Sequence, residues 1–290
     1  MKLFSMRIPD RGVERAKTRR EATASLAVRP VQMSFKYYRS QPTVSMCGRY
    51  TLFTPTEDLE ARFDADFAGV EPSYNCAPGQ DLPVIADEDP TAATRMKWGL
   101  TPSWADEPFD LINARAETVR EKRSFADAFE RRRCLVPADG FYEWVEGGAD
   151  GERDGAGKTP YRVAFDDDRP FAMAGLYERW EPPEPETTQT GLGAFGGGAH
   201  DGGDDDDGGP VEAFTVVTTE PNDLVADLHH RMAVILDPSE EGTWLRGDPD
   251  EAAALLDPYP ADELTAHPVS TRVNSPGVDA PELIEPVGGD

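Results

Sequence analysis

The chain has 290 residues, enough to bury a sizeable core as one large domain or two small ones. Its 55 acidic and 29 basic residues leave a formal net charge of −26, which works against simple coating of nucleic acid by a basic surface. Thirteen Phe, eight Tyr and five Trp exclude a wholly disordered acidic chain, and three scattered cysteines exclude a disulfide framework or a cysteine-rich zinc site.

The charge changes character along the chain. Residues 1–45 carry ten Lys and Arg against three Asp and Glu, whereas the remainder carries 19 against 52. This basic extension lacks a clear periodic pattern. It is either a basic tail for nucleic acid or targeting, or upstream sequence included by a wrongly chosen start codon, and the second is the reading adopted. From Met46 onward the chain reads as globular, with an acidity that suits a high-salt cytoplasm, where salt screens self-repulsion. No apolar run is long enough to span a membrane, and the N-terminus has no continuous apolar signal core. The expectation is a cytoplasmic monomer with no membrane association.

In chain order, residues 54–65 (TPTEDLEARFDA) predict a short helix capped by Thr54 or Thr56, with Leu59, Ala61 and Phe63 on its apolar face. DLPVIAD and TRMKWGLTPSW predict strand pieces with turns. AETVREKRSFADAFERRR, residues 116–133, predicts a helix with Val119, Phe125 and Phe129 pointing inward. RCLVPADGFYEWV predicts strand, turn and strand, and TPYRVAF, PFAMAGLYERW and EAFTVVTTE predict further strands. NDLVADLH, EEGTWLRG and PDEAAALLD predict short helices. Strands and helices mixed without regular alternation point to α+β. Two acidic, Gly-rich stretches interrupt the pattern, at about 146–158 and 181–210. The first reads as a hairpin loop. The second has too few apolar residues to offset ordering entropy and reads as a surface insertion between strands. Cys76 and Cys134 read as small buried hydrophobes. The four histidines offer no spaced metal-ligand pair, so neither a metal nor a cofactor is expected.

The chemically distinctive position is Cys47, directly after Met46. If Met46 is the initiator, its removal leaves Cys47 with a free α-amine beside its thiol. Such an amine attacks an aldehyde to give an imine, and the thiolate then closes a five-membered thiazolidine. Model values of roughly 7.7–8.0 for the amine and about 8.5 for the thiol allow both to react near neutrality.

Seven motifs then occur in order: MCGRY (Met46–Tyr50), YNCAPG, WGLTPSW (Trp98–Trp104), INARAET, CLVPADGFYEW, DLHHRM and HPVS (His267–Ser270). Together they closely resemble the SOS response-associated peptidase (SRAP) family of abasic site processing proteins, from Met46 to about Val287 without the two insertions. The resemblance implies a single compact α+β domain with a β-barrel-like core of mixed strands and peripheral helices. It implies a partner, single-stranded DNA containing abasic sites, held in a positively charged channel and crosslinked through the N-terminal cysteine in a DNA damage response. By the same resemblance Cys47 is the crosslinking residue, Asn113 positions the reacting centre and Glu143 moves protons during imine formation. His229 lies near the sugar, with His230 as the alternative, and Arg49 and Arg115 contact phosphates. The internal Cys47 and HHRMA, where the bacterial pattern has HDRRP, depart from the family. The family name also carries the competing reading, a cysteine peptidase or autoprotease acting on its own leader, although GRY after Cys47 offers no recognised oxyanion arrangement. A lyase or hydrolase activity follows from one or the other.

Read on their own, these residues have plainer roles. Glu143 could face solvent from a strand; burial beside Phe141, Tyr142 or Trp144 would instead favour its protonated form and suit it to acid catalysis. Asn113 could cap a turn, and a histidine in LHHR is commonly a surface residue. Trp98 and Trp104 are carried as base-stacking candidates, although core packing is the commoner role for each. Arg131–Arg133 with Arg120, Lys122 and Arg123 form either a solvated helix face or one bank of a DNA channel.

Overall fold

The computed structural model describes residues 48–146, 158–183 and 209–288, all within one compact unit, Val44–Asp290. The extension 1–45, Cys47 and most of both acidic stretches lie outside the described residues. The described residues form thirteen strands: β1 (Tyr50–Leu52), β2 (Ser73–Cys76), β3 (Asp81–Ala86), β4 (Ala93–Trp98), β5 (Asn113–Arg115), β6 (Arg133–Ala138), β7 (Gly140–Val145), β8 (Thr159–Phe165), β9 (Phe171–Trp180), β10 (Val211–Thr219), β11 (Met232–Ala233), β12 (Ile235–Leu236) and β13 (Leu264–Pro268). Five short helices accompany them: α1 (Thr56–Phe63), α2 (Ala126–Arg131), α3 (Asp223–Ala226), α4 (Glu241–Arg246) and α5 (Pro249–Ala253).

The strands form two sheets. One is antiparallel, in the order β13-β8-β7-β1-β2. In the other, β10 pairs with β4 on one side and β9 on the other, while β4-β3-β6-β9 completes the circuit. This closes a five-stranded barrel and removes its free edges. β5 continues the β4 side of β10, pairing Val216 with Asn113 and Thr218 with Arg115. The expected α+β architecture with a barrel core is therefore present. β9 is paired on both sides, and Phe171–Glu178 is buried throughout, as a central strand requires. Its Gly175 faces Cys134 across the ladder, where a Cβ would come within 2.7 Å of the Cys134 sulfur. Cys76 and Cys134 are both free and buried.

The strand-turn-strand reading of residues 133–145 becomes a change of sheet. Asp139 alone separates β6, in the barrel, from β7, in the antiparallel sheet. Its carboxylate accepts from the Phe53 and Thr54 amides at 2.6 and 2.9 Å, and the Arg162 guanidinium donates to its carbonyl at 2.8 Å. The next residue is a glycine because a Cβ there would lie 2.7 Å from Arg162 Nε. The two sheets are thereby joined at a buried, hydrogen-bonded corner.

Three local expectations are corrected. Neither Thr54 nor Thr56 caps α1: the Thr54 hydroxyl donates to Asp139 and that of Thr56 to the Val70 carbonyl. Ala61 is exposed; Leu59 is buried and Phe63 partly so. The helix expected over 116–133 is broken into a 3-10 turn at Ala116–Thr118 and α2. Val119, Phe125 and Phe129 are all buried as expected. Phe125 and Phe129 share a helical face, but Val119, six residues before Phe125, would point about 120° away in a continuous helix. Breaking the helix lets all three reach one core.

Candidate active site

Glu143 sits in mid-strand on β7, opposite Tyr161, and is fully buried. Strand alternation puts it on the same face as Phe141, which belongs to the main core, whereas Tyr142 and Trp144 join a smaller cluster on the other face. A carboxylate thus occupies a position where the pattern calls for an apolar side chain, which rules out the solvent-facing alternative. His229 follows α3, whose first turn is capped by Asn222 accepting from the Val225 amide at 2.9 Å. Its Nδ1 lies 3.6 Å from Glu143 Oε2, 3.1 Å from the Arg231 carbonyl and 3.3 Å from the Arg231 amide. Burial, and secondarily the neighbouring His230, Lys158 and Arg231, hold His229 below its ordinary value of 6.5, so it favours the neutral imidazole. His230 is exposed, its ring tilted at 45° to that of His229 with centroids 4.3 Å apart. Of the two histidines, His229 is the one against Glu143.

Asn113 opens β5 and is partly buried. Arg49 precedes β1; its carbonyl accepts from the Tyr142 amide on β7 at 3.0 Å. With Tyr50, Trp98, Phe141, Met173 and Val216 it lines a crevice too narrow to hold a water molecule. Val216 is the ladder partner of Asn113, and Phe141 lies two residues before Glu143, so Arg49 borders both strands. Burial lowers the Arg49 pKa, yet its guanidinium forms no salt bridge among the described residues and bonds only its neighbour's Gly48 carbonyl, at 2.8 Å. Arg115 is exposed at the far end of β5.

The tryptophans separate. Trp98 is 1% exposed, packs against Tyr50 and Phe214, and donates its indole N–H to the Ile112 carbonyl at 2.9 Å. Its ring is covered, so it is corrected to a core residue that fixes the strand entry before Asn113. Trp104 is 39% exposed and stands edge-to-face with Phe109, which is 43% exposed. The Arg123 guanidinium lies 4.0 Å over the Trp104 ring.

The basic cluster is mostly spoken for. Arg120 pairs with Asp250 at 2.7 Å, Arg131 with Asp127 at 3.3 Å and Arg132 with Glu178 at 3.0 Å. Arg133 is buried and bonds the Phe129, Trp244 and Gly247 carbonyls. Lys122 and Arg123 alone in this cluster stay exposed without a salt bridge among the described residues. Sequence reasoning missed Arg231, whose buried guanidinium holds Glu117 and the Thr218 carbonyl and so ties the His229 turn to β10 and to the segment after Arg115. An arginine between two histidines and a methionine gives no sign of burial. Among the described residues no group of His, Cys, Asp and Glu is arranged to hold a metal.

Comparison with known proteins gives this geometry its context. The abasic site processing protein YoqW of Bacillus subtilis (strain 168) is 40% identical over 251 residues, covering 83% of this chain and 99% of that protein. The abasic site processing protein HMCES of Gallus gallus is 33% identical over 254 residues, covering 74% of this chain and 66% of that protein. A crystal structure of a protein from Bacteroides thetaiotaomicron superposes with a TM-score of 0.66 at 25% identity, covering 83% of this chain and all of that one. The family model for SOS response associated peptidase (SRAP) matches residues 46–276, a span that starts at the Met46-Cys47 pair and takes in Asn113, Glu143 and His229. The chain therefore belongs to the SRAP family.

Proposed function

We propose that this protein captures abasic sites in single-stranded DNA as a covalent thiazolidine through Cys47, acting as the mature N-terminal residue. The ring-opened sugar supplies the aldehyde. The Cys47 amine adds to it and water leaves, giving a protonated imine; the thiol then adds to the imine carbon and gives up its proton. Glu143 hands a proton to the departing hydroxyl and retrieves one on ring closure. His229, favouring the neutral form beside Glu143, accepts or passes that proton, and Asn113 orients the sugar. Arg49 and Arg115 hold the flanking phosphates, and Trp104 offers a face for a base.

The observation that carries this reading is the buried Glu143 with His229 Nδ1 3.6 Å away, on the face of β7 that should be apolar. The start of the family match at residue 46 and the names of the relatives agree with it. The test uses protein beginning at Cys47, mixed with an abasic oligonucleotide and run on a denaturing gel. Wild type should give a heat-stable adduct and Cys47→Ser none without reductant, because serine can form only a hydrolysable imine or a poorer oxazolidine. An equal stable yield from Cys47→Ser would exclude thiazolidine closure. Release of the leader from full-length protein, abolished by the same substitution and with no DNA adduct, would favour the autoprotease instead.

A further inference from the structure

Trp104 and Phe109 are large exposed aromatics on the loop between β4 and β5. A stacking surface on a loop is useful only if the loop is held, since ordering it on binding would cost conformational entropy. Two residues near the end of β9 reach this loop. Trp180, 8% exposed, donates its indole N–H to the Ala105 carbonyl at 2.7 Å. Glu178, 6% exposed, accepts from the Ser103 hydroxyl at 3.3 Å and from Arg132 at 3.0 Å. The two hydrogen bonds therefore bracket Trp104 one residue away on each side. The loop closes on itself as well: the Ala105 amide donates to the Pro102 carbonyl at 2.9 Å, and the Phe109 amide donates to the Thr101 hydroxyl at 3.2 Å. From the flank, the Trp104 indole donates to the Arg123 carbonyl at 3.3 Å.

A buried glutamate and a buried indole at the end of a barrel strand do not need this loop for the barrel to close. β9 is already paired with β10 from Val216–Gly175 to Val211–Trp180, and with β6 from Arg133–Leu176 to Ala138–Phe171. Their polar atoms are spent instead on the backbone and hydroxyl groups flanking one exposed tryptophan. We infer that Glu178 and Trp180 are positioning residues that hold the loop 101–110 so that Trp104 is a pre-set platform for a base of single-stranded DNA. Arg123 covers one face of the ring, so the base takes the solvent face. This rests on the proposed DNA-binding reading and adds residues that touch no DNA themselves.

The experiment is a double-mutant cycle on the full chain with an intact polythymidine strand as probe, read by equilibrium binding and paired with melting curves. Trp104→Ala should weaken binding by roughly five- to a hundredfold. Trp180→Phe keeps an aromatic ring and removes the Ala105 hydrogen bond; it should weaken binding by roughly three- to tenfold while the protein stays folded at the assay temperature. Combined with Trp104→Ala it should add nothing. Glu178→Gln, with the Arg132 ion pair lost, is the second variant and should behave likewise if Trp180→Phe folds poorly. Hydrogen exchange at the amides of Ala105 and Phe109 should rise in both variants. If Trp104→Ala weakens binding while both positioning variants bind as wild type, or their effects add fully to it, the inference is wrong and the platform stands. If Trp104→Ala itself leaves binding unchanged, the platform is wrong and the inference falls with it.

Discussion

Two regions of the molecule are built on opposite plans. Glu143 and the His229 ring are carried on a sheet and on a capped turn; Glu143 is fully buried and the His229 side chain 9% exposed. Trp104, Phe109, Arg115, Lys122 and Arg123 are exposed and carried on loops or strand ends. In a chain whose residues from 46 onward carry 52 acidic against 19 basic side chains, Arg115, Lys122, Arg123 and the half-buried Arg49 are among the described cations that form no salt bridge with another described residue. Under the proposed function the difference separates two tasks. Reactivity would then depend on desolvated groups that salt and surface change barely reach. Encounter would depend on exposed cations and π-faces, which salt and surface substitutions reach directly.

The sharpest way to break this division is Glu143→Gln, assayed in protein starting at Cys47. Adduct formation at saturating abasic strand should slow by about 10²–10⁴, with binding to an intact strand unchanged. Equal losses in both would make Glu143 a binding or structural residue. Next comes the pair of tryptophans six residues apart. Trp98→Ala should cost about 3–5 kcal/mol of stability in chemical denaturation, whereas Trp104→Ala should stay within about 0.5 kcal/mol. Similar costs for both would mean the loop is part of the core.

A KCl series sharpens the contrast further. Reversible binding to intact strands should fall with a log–log slope of about −0.7 per phosphate neutralised, and Arg115→Gln should flatten it by roughly that amount. The long-time yield of adduct on abasic strands should persist after reversible binding has vanished, because the closed ring does not depend on salt. A yield that collapses in parallel would show that covalent capture does not compensate for screening. The smallest effect concerns pH. His229 has a folded pKa below its unfolded value, so the unfolded chain binds the proton first. Its contribution to stability is present above about 6.5 and is lost as pH falls through the folded value. His229→Gln should remove that part of the stability loss between neutral and mildly acidic pH in urea melts. An unchanged slope would mean that His229 titrates as a solvated histidine.

Much of the candidate site was legible because its proposed chemistry is local in sequence. Met46-Cys47, a glutamate among aromatics in GFYEW and an asparagine before Ala-Arg are short signals, and their order along the chain identified the family. The strands were legible for the same reason, since β-branched and aromatic runs bounded by Gly, Pro and Asp depend on neighbours alone. What failed was whatever depended on distant partners. Thr54 looked like a helix cap and is instead held by Asp139, 85 residues away. The basic run at 131–133 looked like one surface, but its members turn to Asp127, to Glu178 and to the carbonyls of Phe129, Trp244 and Gly247.

The sequence by itself determined the family, the α+β class, the order of strands and the residues worth testing, because motif order and apolar periodicity are properties of the chain. Tertiary structure alone decided which of two identical side chains is buried and which is offered to solvent. Trp98 is the last residue of β4 and its ring lies in the core; Trp104 lies beyond the strand, where Glu178 and Trp180 hold its loop. It likewise decided that His229 rather than His230 meets Glu143, since the turn after α3 directs one ring inward and leaves the next exposed. Burial is a relation between segments far apart in sequence, and no local pattern in WGLTPSW or LHHR encodes which segment will arrive to cover each ring.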